Sequence, residues 1–279
     1  MTYKSLLCVV TERKSAEPAL AQMTTLADRL DSHAEILCMG LDRTQLGYYD
    51  AGATAMVLQE SIDRAQSDAA ELLAFVNETM NKSDIRWSAE ESVVPVTNLG
   101  RQVAFHSRFT DLVIAPQPYG EHGDRDAEAV IEAALFGGQA PVLVVPSKGQ
   151  PISLPQTVVV AWNESAESLN AIRRSIPFLQ AANRVRITII DPPAHGPERS
   201  DPGGMLGQML ARHGVSCEID VLSQTMPKVS DILNRHVADS GADMLVMGAY
   251  GHSRLREAVL GGATRHMLEK ATVPMLMAH

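Results

Sequence analysis

Residues 243–277, DMLVMGAYGHSRLREAVLGGATRHMLEKATVPMLM, are the stretch that decides our interpretation of the fold. The apolar run at residues 244–247 predicts a buried strand, and a glycine-rich loop then leads to a predicted helix that begins near Ala263. The glycines of this loop are Gly248, Gly251, Gly261 and Gly262. Glycine lets a ligand approach backbone N–H groups closely, and a helix N-terminus favours an anion. The stretch therefore predicts a phosphate or nucleotide site near the end of the sequence.

The spacing of these glycines differs from the two common phosphate-binding motifs. The pattern G-x-x-x-x-G-K-[ST] is absent, and no G-x-G-x-x-G follows the first predicted strand of either half. The spacing resembles the universal stress protein family (UspA-like), whose nucleotide-binding members carry Gly-x2-Gly-x9-Gly followed by Ser or Thr. Here Gly262 stands in place of that hydroxyl residue, and Thr264 lies two positions further on.

Composition limits the other functional classes. The chain has 279 residues with 45% hydrophobic and 20% charged content, which is typical of a globular protein with two modest domains. No apolar run approaches the roughly 20 residues of a membrane span, and residues 1–10 do not resemble a secretory signal. We therefore expect a cytoplasmic protein. Three scattered cysteines, in no metal-ligand spacing, favour small apolar core residues over a zinc site or disulfides: Cys8, Cys38 and Cys217.

The net charge of −9 is concentrated in the first half of the chain. Residues 1–150 contain 12 Lys+Arg against 21 Asp+Glu, whereas residues 151–279 contain 12 of each. The first half would repel a polyanion, which argues against nucleic acid as a partner. Basic residues are instead gathered around the glycine-rich loop, where they would attract a phosphate group: His252, Arg254, Arg256, Arg265 and His266.

Apolar runs alternate with helical periodicity along the whole chain, and the alternation occurs twice. Asp111 and Asp243 begin similar strands, and Pro141 and Pro274 precede similar final strands. We therefore predict an internal duplication and an α/β fold of two tandem open five-stranded, mainly parallel sheets with helices on both faces. The family resemblance implies that this fold is Rossmann-like, of the adenine nucleotide alpha hydrolase-like type. Residues 40–59 are interpreted as an insertion or lid.

The duplication makes the first half an internal control for the second. The predicted domains are a degenerate universal stress protein domain at 1–146, a linker at 147–156, and a domain with the phosphate loop at 157–279. Where the second half has Gly248 and Gly251, the first has Pro116 and Tyr119, and proline lacks an N–H to offer an anion. We therefore predict one ligand site per chain, in the second half.

The remaining site residues follow from strand ends and from the resemblance. Ligands of open α/β sheets bind at the carboxyl ends of the strands, which selects Ala161, Trp162, Asn163 and Ile190. The resemblance implies that Asn163, in place of the family's usual Asp, contacts the ribose. It also implies that Ile190 and Met247 border the base. The resemblance implies that the phosphates are held by Gly251, Gly261, Gly262 and Thr264. The other residues predicted for the nucleotide site from the loop are Gly248, His252, Arg254 and Ala263, of which His252 and Arg254 could contact a phosphate or could be solvated charges.

Several of these residues have an alternative structural role. Asn163 could instead form the turn before the next helix, and Ser165 is predicted to be the N-cap of that helix. Trp162 could pack in an interface, and the Met-rich run at residues 244–247 belongs first to the core. Glycines at a strand end are also common in turns without ligands.

Three functions remain open from the sequence. The first is a stress-response protein that binds ATP or another adenine nucleotide, with or without Mg²⁺, as a sensor or scaffold. The second is an interaction scaffold of the same fold with an empty pocket, favoured by Gly262 and Asn163. The third is a weak ATPase, although no catalytic motif or metal-ligand spacing occurs. The resemblance further implies that residues 142–145 pair with 275–277, giving an intrachain pseudo-dimer, and leaves a homodimer open.

Overall fold

The computed structural model describes residues 2–44, 51–119, 123–192, 201–250 and 262–279. The chain divides into two compact units. The N-terminal unit is Lys4–Ala140, and the C-terminal unit is Pro141–His279 together with Met1–Tyr3. The units divide before the strand at Val142–Val145, earlier than the boundary predicted at residue 146, because that strand pairs with the last strand of the chain.

The N-terminal unit contains four parallel strands in the order β3-β2-β1-β4. These strands are β1 (Ser5–Val10), β2 (His33–Asp42), β3 (Arg86–Pro95) and β4 (Leu112–Pro116). The accompanying helices are α1 (Arg13–Leu30), α2 (Ala51–Met80), α3 (Leu99–Ser107) and α4 (Ala127–Glu132). A short 3₁₀ turn, Val96–Asn98, precedes α3, and a π-helical segment, Ala133–Gly138, follows α4.

The C-terminal unit repeats this strand order and adds two strands. Its order is β5-β10-β9-β6-β7-β8, in which only the β5–β10 pair is antiparallel among the described pairs. The strands are β5 (Val142–Val145), β6 (Thr157–Ala161), β7 (Arg184–Ile190), β8 (Cys217–Leu222), β9 (Met244–Gly248) and β10 (Met275–Ala278). The helices are α5 (Ala166–Ala181), α6 (Gly204–Arg212), α7 (Val229–Ser240) and α8 (Ala263–Lys270). The predicted α/β fold, with mainly parallel strands flanked by helices, is confirmed.

The predicted pairing of β5 with β10 is present. Met275 faces Val144 and Met277 faces Val142 in antiparallel register. All four residues are buried, so this pairing covers two strands that would otherwise expose unpaired backbone groups. It also explains why six strands belong to the C-terminal unit, rather than the five predicted for each half.

Continuous apolar runs form the central strands because both faces of a parallel sheet are covered. Leu6, Leu7 and Cys8 in β1 are fully buried, as is Cys38 in β2. Burial raises the pKa of the Cys8 thiol to about 12, and burial likewise raises that of Cys38 to about 12. A thiol with such a pKa stays protonated and unreactive at neutral pH, so these two cysteines act as small core residues. No described helix is long and apolar enough to cross a lipid bilayer.

An aspartate stands just before the fourth parallel strand of each unit and has the same contacts in both. The Asp111 carboxylate accepts hydrogen bonds from the backbone N–H groups of Lys4 and Ser5 at 2.7 and 3.1 Å. The Asp243 carboxylate does the same for Gln156 and Thr157, at distances from 2.8 to 3.0 Å. The sequence similarity at these two positions therefore reflects one structural task, which is fixing the start of β1 or β6.

The interpretation of residues 40–59 as an insertion or lid is wrong for the described part of that segment. Strand β2 continues through Gly40 to Asp42, and α2 begins at Ala51. Gly40 faces the backbone of α2, where a Cβ atom would overlap the carbonyl oxygen of Ala65. The small residue thus marks close helix–strand packing instead of a loop.

A polar cluster joins α7 to strands β7 and β8 of the C-terminal unit. The Arg186 guanidinium on β7 donates two hydrogen bonds to the Asp220 carboxylate on β8, at 2.7 and 2.8 Å. His236 on α7 contacts the same carboxylate at 3.1 Å. The hydrogen bond from Arg186 is the main reason that the pKa of Asp220 lies below its ordinary value of 3.8. This bidentate contact is partly shielded from water, since 17% of the Asp220 side chain is exposed.

We predict that Asp220→Asn destabilises the protein at pH 7 by about 2 kcal/mol, the typical cost of a lost charge-assisted hydrogen bond. A carboxyl whose folded-state pKa is lowered stabilises the fold above its unfolded-state pKa, and this contribution disappears as pH falls through the folded-state value. The difference between variant and wild type should therefore shrink below about pH 4. Urea unfolding of both proteins at a series of pH values measures this difference in the free energy of unfolding.

Asp239→Asn is the matched control on the same helix. Asp239 pairs with Arg235 at 3.5 Å, but 69% of its side chain is exposed, so its loss should cost less than about 0.5 kcal/mol. Equal destabilisation by the two substitutions at pH 7 would contradict the account.

Candidate functional site

Three parallel strands of the C-terminal unit end at the same edge of the sheet. Strand β6 lies between β7 and β9, with Ala161 beside Thr188 and Val160 beside Val246. The carboxyl ends of parallel strands are the usual ligand-binding edge of an open α/β sheet. The structure therefore brings the segments after Ala161, Ile190 and Gly248 to one edge, as the sequence predicted.

Trp162, the residue after β6, carries a side-chain donor for which the described residues offer no acceptor. Its backbone N–H donates to the Thr188 carbonyl oxygen at 2.9 Å, which continues the pairing of β6 with β7. The indole nitrogen Nε1 is buried, and no atom among the described residues accepts its hydrogen. The Thr188 hydroxyl is also buried without a partner in this part of the chain. Buried polar groups are nearly always paired, so we expect each of these two groups to have a partner beyond the described residues, and a ligand or water can supply one.

Asn163 and Ser165 form the turn that starts α5. The Asn163 side-chain oxygen accepts the Ser165 N–H at 3.2 Å, and Glu164 between them adopts a left-handed conformation with φ of 62°. The Ser165 hydroxyl accepts the Ser168 N–H at 3.1 Å, as an N-cap does. The N-cap prediction for Ser165 is confirmed. The side chain of Asn163 is exposed and also shapes the turn, so ribose contact by its amide stays a prediction.

Gly248, at the end of β9, allows close packing against the first turn of α5. A Cβ atom at this position would lie 2.5 Å from the backbone nitrogen of Ser168 and 2.7 Å from the carbonyl carbon of Glu167. Real Cβ atoms do not approach backbone atoms this closely, so any other residue would push β9 and α5 apart. Glycine is required here by packing, whether or not a ligand binds.

Thr264 connects α8 to the loop that follows β9. Its hydroxyl oxygen accepts the Tyr250 N–H at 3.2 Å, and its side chain is buried. Tyr250 adopts a left-handed conformation with φ of 57°, which turns the chain at this point. The contact fixes the start of α8 relative to the end of β9. The predicted phosphate contact by Thr264 remains a prediction, and the structure adds this loop-closing role.

The start of α8 carries no side-chain cap. Gly262 is the N-cap residue and has no side chain with which to accept a first-turn N–H, unlike Ser165 in α5. The His266 Nδ1 atom lies 3.0 Å from the Gly262 carbonyl oxygen, and the Lys228 Nζ atom lies 2.6 Å from His266 Nε2. These partners indicate that Nδ1 donates to the carbonyl and Nε2 accepts from the lysine. An uncapped helix N-terminus beside a lysine is a favourable place for an anion.

Lys228 was missed by the sequence analysis. It is the N-cap residue of α7, 38 positions before its partner His266. No local motif links the two positions, and only the packing of α7 beside α8 brings them together.

The other predicted residues divide into two groups. Ile190 and Met247 lie at the ends of β7 and β9, with Met247 buried and Ile190 half-buried. Ala263 is the first residue of α8 and is exposed. The predicted phosphate contacts that lie outside the described residues are Gly251, His252, Arg254 and Gly261.

The corresponding edge of the N-terminal unit is occupied by the chain's own carboxylates. Asp124 is buried and accepts hydrogen bonds from the hydroxyl groups of Thr11 and Ser15, at 2.8 and 2.9 Å. Asp126, the N-cap residue of α4, forms a salt bridge with Arg43 through both carboxylate oxygens. Two carboxylates thus stand before α4, where the C-terminal unit has Gly262 directly before α8. They would repel a phosphate at this position.

A cavity of about 260 Å³ nevertheless lies at the ends of β1 and β2 in the N-terminal unit. Its wall combines Arg13 and Arg43 with Asp68 and with the apolar side chains of Met39 and Leu72. Positively and negatively charged side chains both line the cavity, so we expect it to prefer a different ligand from that of a phosphate-binding loop. The sequence did not predict this cavity, because its residues come from β1, β2 and α2 without a shared motif.

The comparisons with known proteins agree on one family. Residues 155–279 match the sequence model described as the Universal stress protein family. Universal stress protein Slr1230 from Synechocystis sp. is 29% identical over 145 residues, which is 49% of this chain. The aligned region spans about half of that relative, 46% of its length.

Solved structures extend the similarity in fold to almost the whole chain. A universal stress protein from Archaeoglobus fulgidus matches 98% of this chain and 95% of its own, with a TM-score of 0.73 and 14% identity. One from Pseudomonas aeruginosa covers 99% and 93%, with a TM-score of 0.58 and 15% identity. At such identities the structures show a shared fold.

We predict that Gly248→Ala destabilises the protein by about 1–3 kcal/mol, the usual cost of forcing extra atoms into a packed contact. The added methyl group would displace the first turn of α5. Gly207→Ala in α6 is the control, because its Cβ would meet the Cys217 sulfur at 3.8 Å, an ordinary contact. Gly207→Ala should be neutral or slightly stabilising, since alanine favours a helix. Chemical unfolding of both variants provides the measurement, and a fully stable Gly248→Ala protein would disprove the packing role.

Proposed function

We propose that the C-terminal unit binds ATP or a related adenine nucleotide, because residues 155–279 match the model of the Universal stress protein family. In this proposal the protein acts in a stress response as a sensor or scaffold, and nucleotide binding is its means of sensing. Mg²⁺ would accompany a triphosphate by bridging its oxygens.

The observation that carries this proposal is the buried indole N–H of Trp162, at the edge where the parallel strands end, which has no acceptor within the described ranges. An unpaired buried donor costs about 1–3 kcal/mol, and this cost is removed when a ligand supplies an acceptor. A ribose hydroxyl or a ring nitrogen of adenine offers such an acceptor. The Thr188 hydroxyl, also unpaired, lies on the neighbouring strand and can donate or accept.

The start of α8 supports the phosphate end of the proposal. The first-turn N–H groups of α8 are free of a side-chain cap because Gly262 precedes them. Lys228 and His266 add polar and positive groups at the same helix. Backbone donors, the helix dipole and a nearby lysine together favour a phosphate chain.

The alternative function is an interaction scaffold of the same fold that binds no nucleotide. Two side chains with an implied ligand role already have partners within the protein: Thr264 bonds Tyr250, and Asn163 bonds Ser165. A pocket closed by such contacts would leave the surface as the functional part. Weak ATP hydrolysis is a further outcome that the same experiments detect.

For assembly, we propose that β5 and β10 act as the join of an intrachain pseudo-dimer. Their antiparallel pairing supports this proposal, because β5 precedes the second repeat in the sequence and pairs with β10, the last strand of that repeat. A homodimer of whole chains remains a separate proposal, which sedimentation analysis of the purified protein tests.

We predict that ATP or AMP binds the full chain with a stoichiometry of one, measured by calorimetric titration with Mg²⁺ present. Trp162→Phe keeps an aromatic ring but removes the indole donor, and it should weaken binding about 5-fold, the effect of one lost hydrogen bond. Trp87→Phe on β3 is the matched control and should bind as the wild type does. Arg43→Ala should also leave binding unchanged, because Arg43 lines the N-terminal cavity.

Three results would reject or redirect the proposal. No heat with ATP, AMP or cyclic AMP would favour the empty scaffold. Weakened binding in Arg43→Ala, but not in Trp162→Phe, would place the nucleotide in the N-terminal unit. Steady release of phosphate from ATP would add enzymatic activity to the binding function.

A further inference from the structure

Three side chains of the N-terminal unit gather two carboxylates around one imidazole. They are Glu35 on β2, Glu90 on β3 and His106 on α3. The His106 Nδ1 atom lies 3.0 Å from a Glu35 oxygen, and its Nε2 atom lies 3.5 Å from a Glu90 oxygen. One ligand atom of each residue lies within 4.8 Å of the other two.

The C-terminal unit has a different set of residues at the same three places. Glu35 on β2 corresponds to Arg186 on β7. In the N-terminal unit, Leu37 pairs with Glu90 on β3, and Glu35 lies two residues before Leu37. In the C-terminal unit, Thr188 pairs with Asp220 on β8, and Arg186 lies two residues before Thr188. The two histidines also correspond, since His106 and His236 are each the eighth residue of their helix.

Among the described residues, the N-terminal cluster has no positively charged group that corresponds to the Arg186 guanidinium of the C-terminal cluster. In the C-terminal unit the Arg186 guanidinium lies against Asp220 and neutralises it. In the N-terminal unit Glu35 occupies the position that corresponds to Arg186, so a second carboxylate takes the place of the guanidinium group. Within the described part of the chain, Glu35 and Glu90 form no salt bridge with lysine or arginine, and both carboxylates lie beside the imidazole of His106.

We propose that Glu35, Glu90 and His106 bind a divalent transition-metal ion, with Zn²⁺ as the best match. One imidazole and two carboxylates form a donor set that suits zinc, which takes nitrogen and oxygen ligands. The ion supplies the positive charge that the arginine supplies in the other unit. Three protein ligands leave one coordination position for water.

The geometry requires only a small adjustment. Zinc holds its donors at about 2.0–2.2 Å, so the ligand atoms of a tetrahedral site are about 3.4 Å apart. The side chain of Glu90 is 57% exposed and can move inward, whereas that of His106 is only 14% exposed and is held in place. Gln102, whose amide nitrogen lies 3.4 Å from His106 Nε2, is one turn away on α3 and can orient the ring or the bound water.

This site is separate from the proposed nucleotide site. Its ligands come from the edge strand β3, from the neighbouring strand β2 and from α3, all in the N-terminal unit. None of the three residues lines the cavity at the ends of β1 and β2. Metal binding can therefore be present or absent independently of nucleotide binding.

Calorimetric titration of metal-free full-length protein with Zn²⁺ alone tests the proposal. We expect wild type to bind one ion at this site, and Glu90→Gln to weaken its binding at least 10-fold, because an exposed ligand is lost without disturbing the core. Glu35→Arg should abolish binding at this site while the protein stays folded, because it installs the arrangement of the C-terminal unit. With Co²⁺ as the probe, wild type should show the visible absorption of a nitrogen- and oxygen-ligated ion, and Glu35→Arg should not.

The control is His236→Ala, which removes the corresponding histidine from the C-terminal unit. It should leave the affinity for Zn²⁺ unchanged, whereas His106→Ala should reduce it about as much as Glu90→Gln does. Failure of wild type to bind Zn²⁺ at about millimolar concentration would overturn the proposal. Equal binding by wild type, Glu90→Gln and Glu35→Arg would overturn it as well, since the ion would then sit on other residues.

Discussion

The parallel pairing of β6 with β7 and β9 is the constraint on which the rest of the C-terminal unit depends. It brings the ends of three strands to one edge, so that residues far apart in sequence become neighbours. Gly248 then allows β9 to lie against the first turn of α5, and the Tyr250–Thr264 hydrogen bond sets the start of α8. These contacts position an edge at which the Trp162 indole and the Thr188 hydroxyl lack partners among the described residues, which is the physical basis of the proposed nucleotide site.

The two units show how one architecture can serve different chemistry through a few substitutions. Both use an aspartate, Asp111 or Asp243, to fix the start of the central strand, and both have the same order of four parallel strands. At the ligand-binding edge, the N-terminal unit places Asp124 and Asp126 before its last helix, while the C-terminal unit places Gly262 there. Fixed carboxylates in one unit and bare backbone donors in the other give opposite preferences for an anion.

Much of the fold could be predicted from the sequence because the apolar runs are continuous and well separated. Strand β5 was predicted at its observed bounds, and the apolar run at residues 244–247 forms β9, since buried strands covered on both faces leave a strong signal. The segment around Gly40 was misinterpreted because glycine there serves close helix–strand packing, and local pattern cannot distinguish this from a loop. The candidate site was predicted through strand ends, but Lys228, the cavity of the N-terminal unit and the Glu35–Glu90–His106 cluster depend on contacts between distant elements. The pairing of Thr264 with Tyr250 likewise appears only when the chain is folded.

We propose that a nucleotide binds at the edge of the C-terminal unit where β6, β7 and β9 end. The chain contains two tryptophans, so a nitrogen-15 NMR spectrum of the full-length protein should resolve two indole N–H signals, from Trp87 and Trp162. The account predicts that addition of ATP shifts the indole signal of Trp162 together with the amide signals of Gly262 and Ala263, while the indole signal of Trp87 stays in place. Shifts confined to Thr11, Arg13 and Arg43, with the Trp162 indole unchanged, would contradict it.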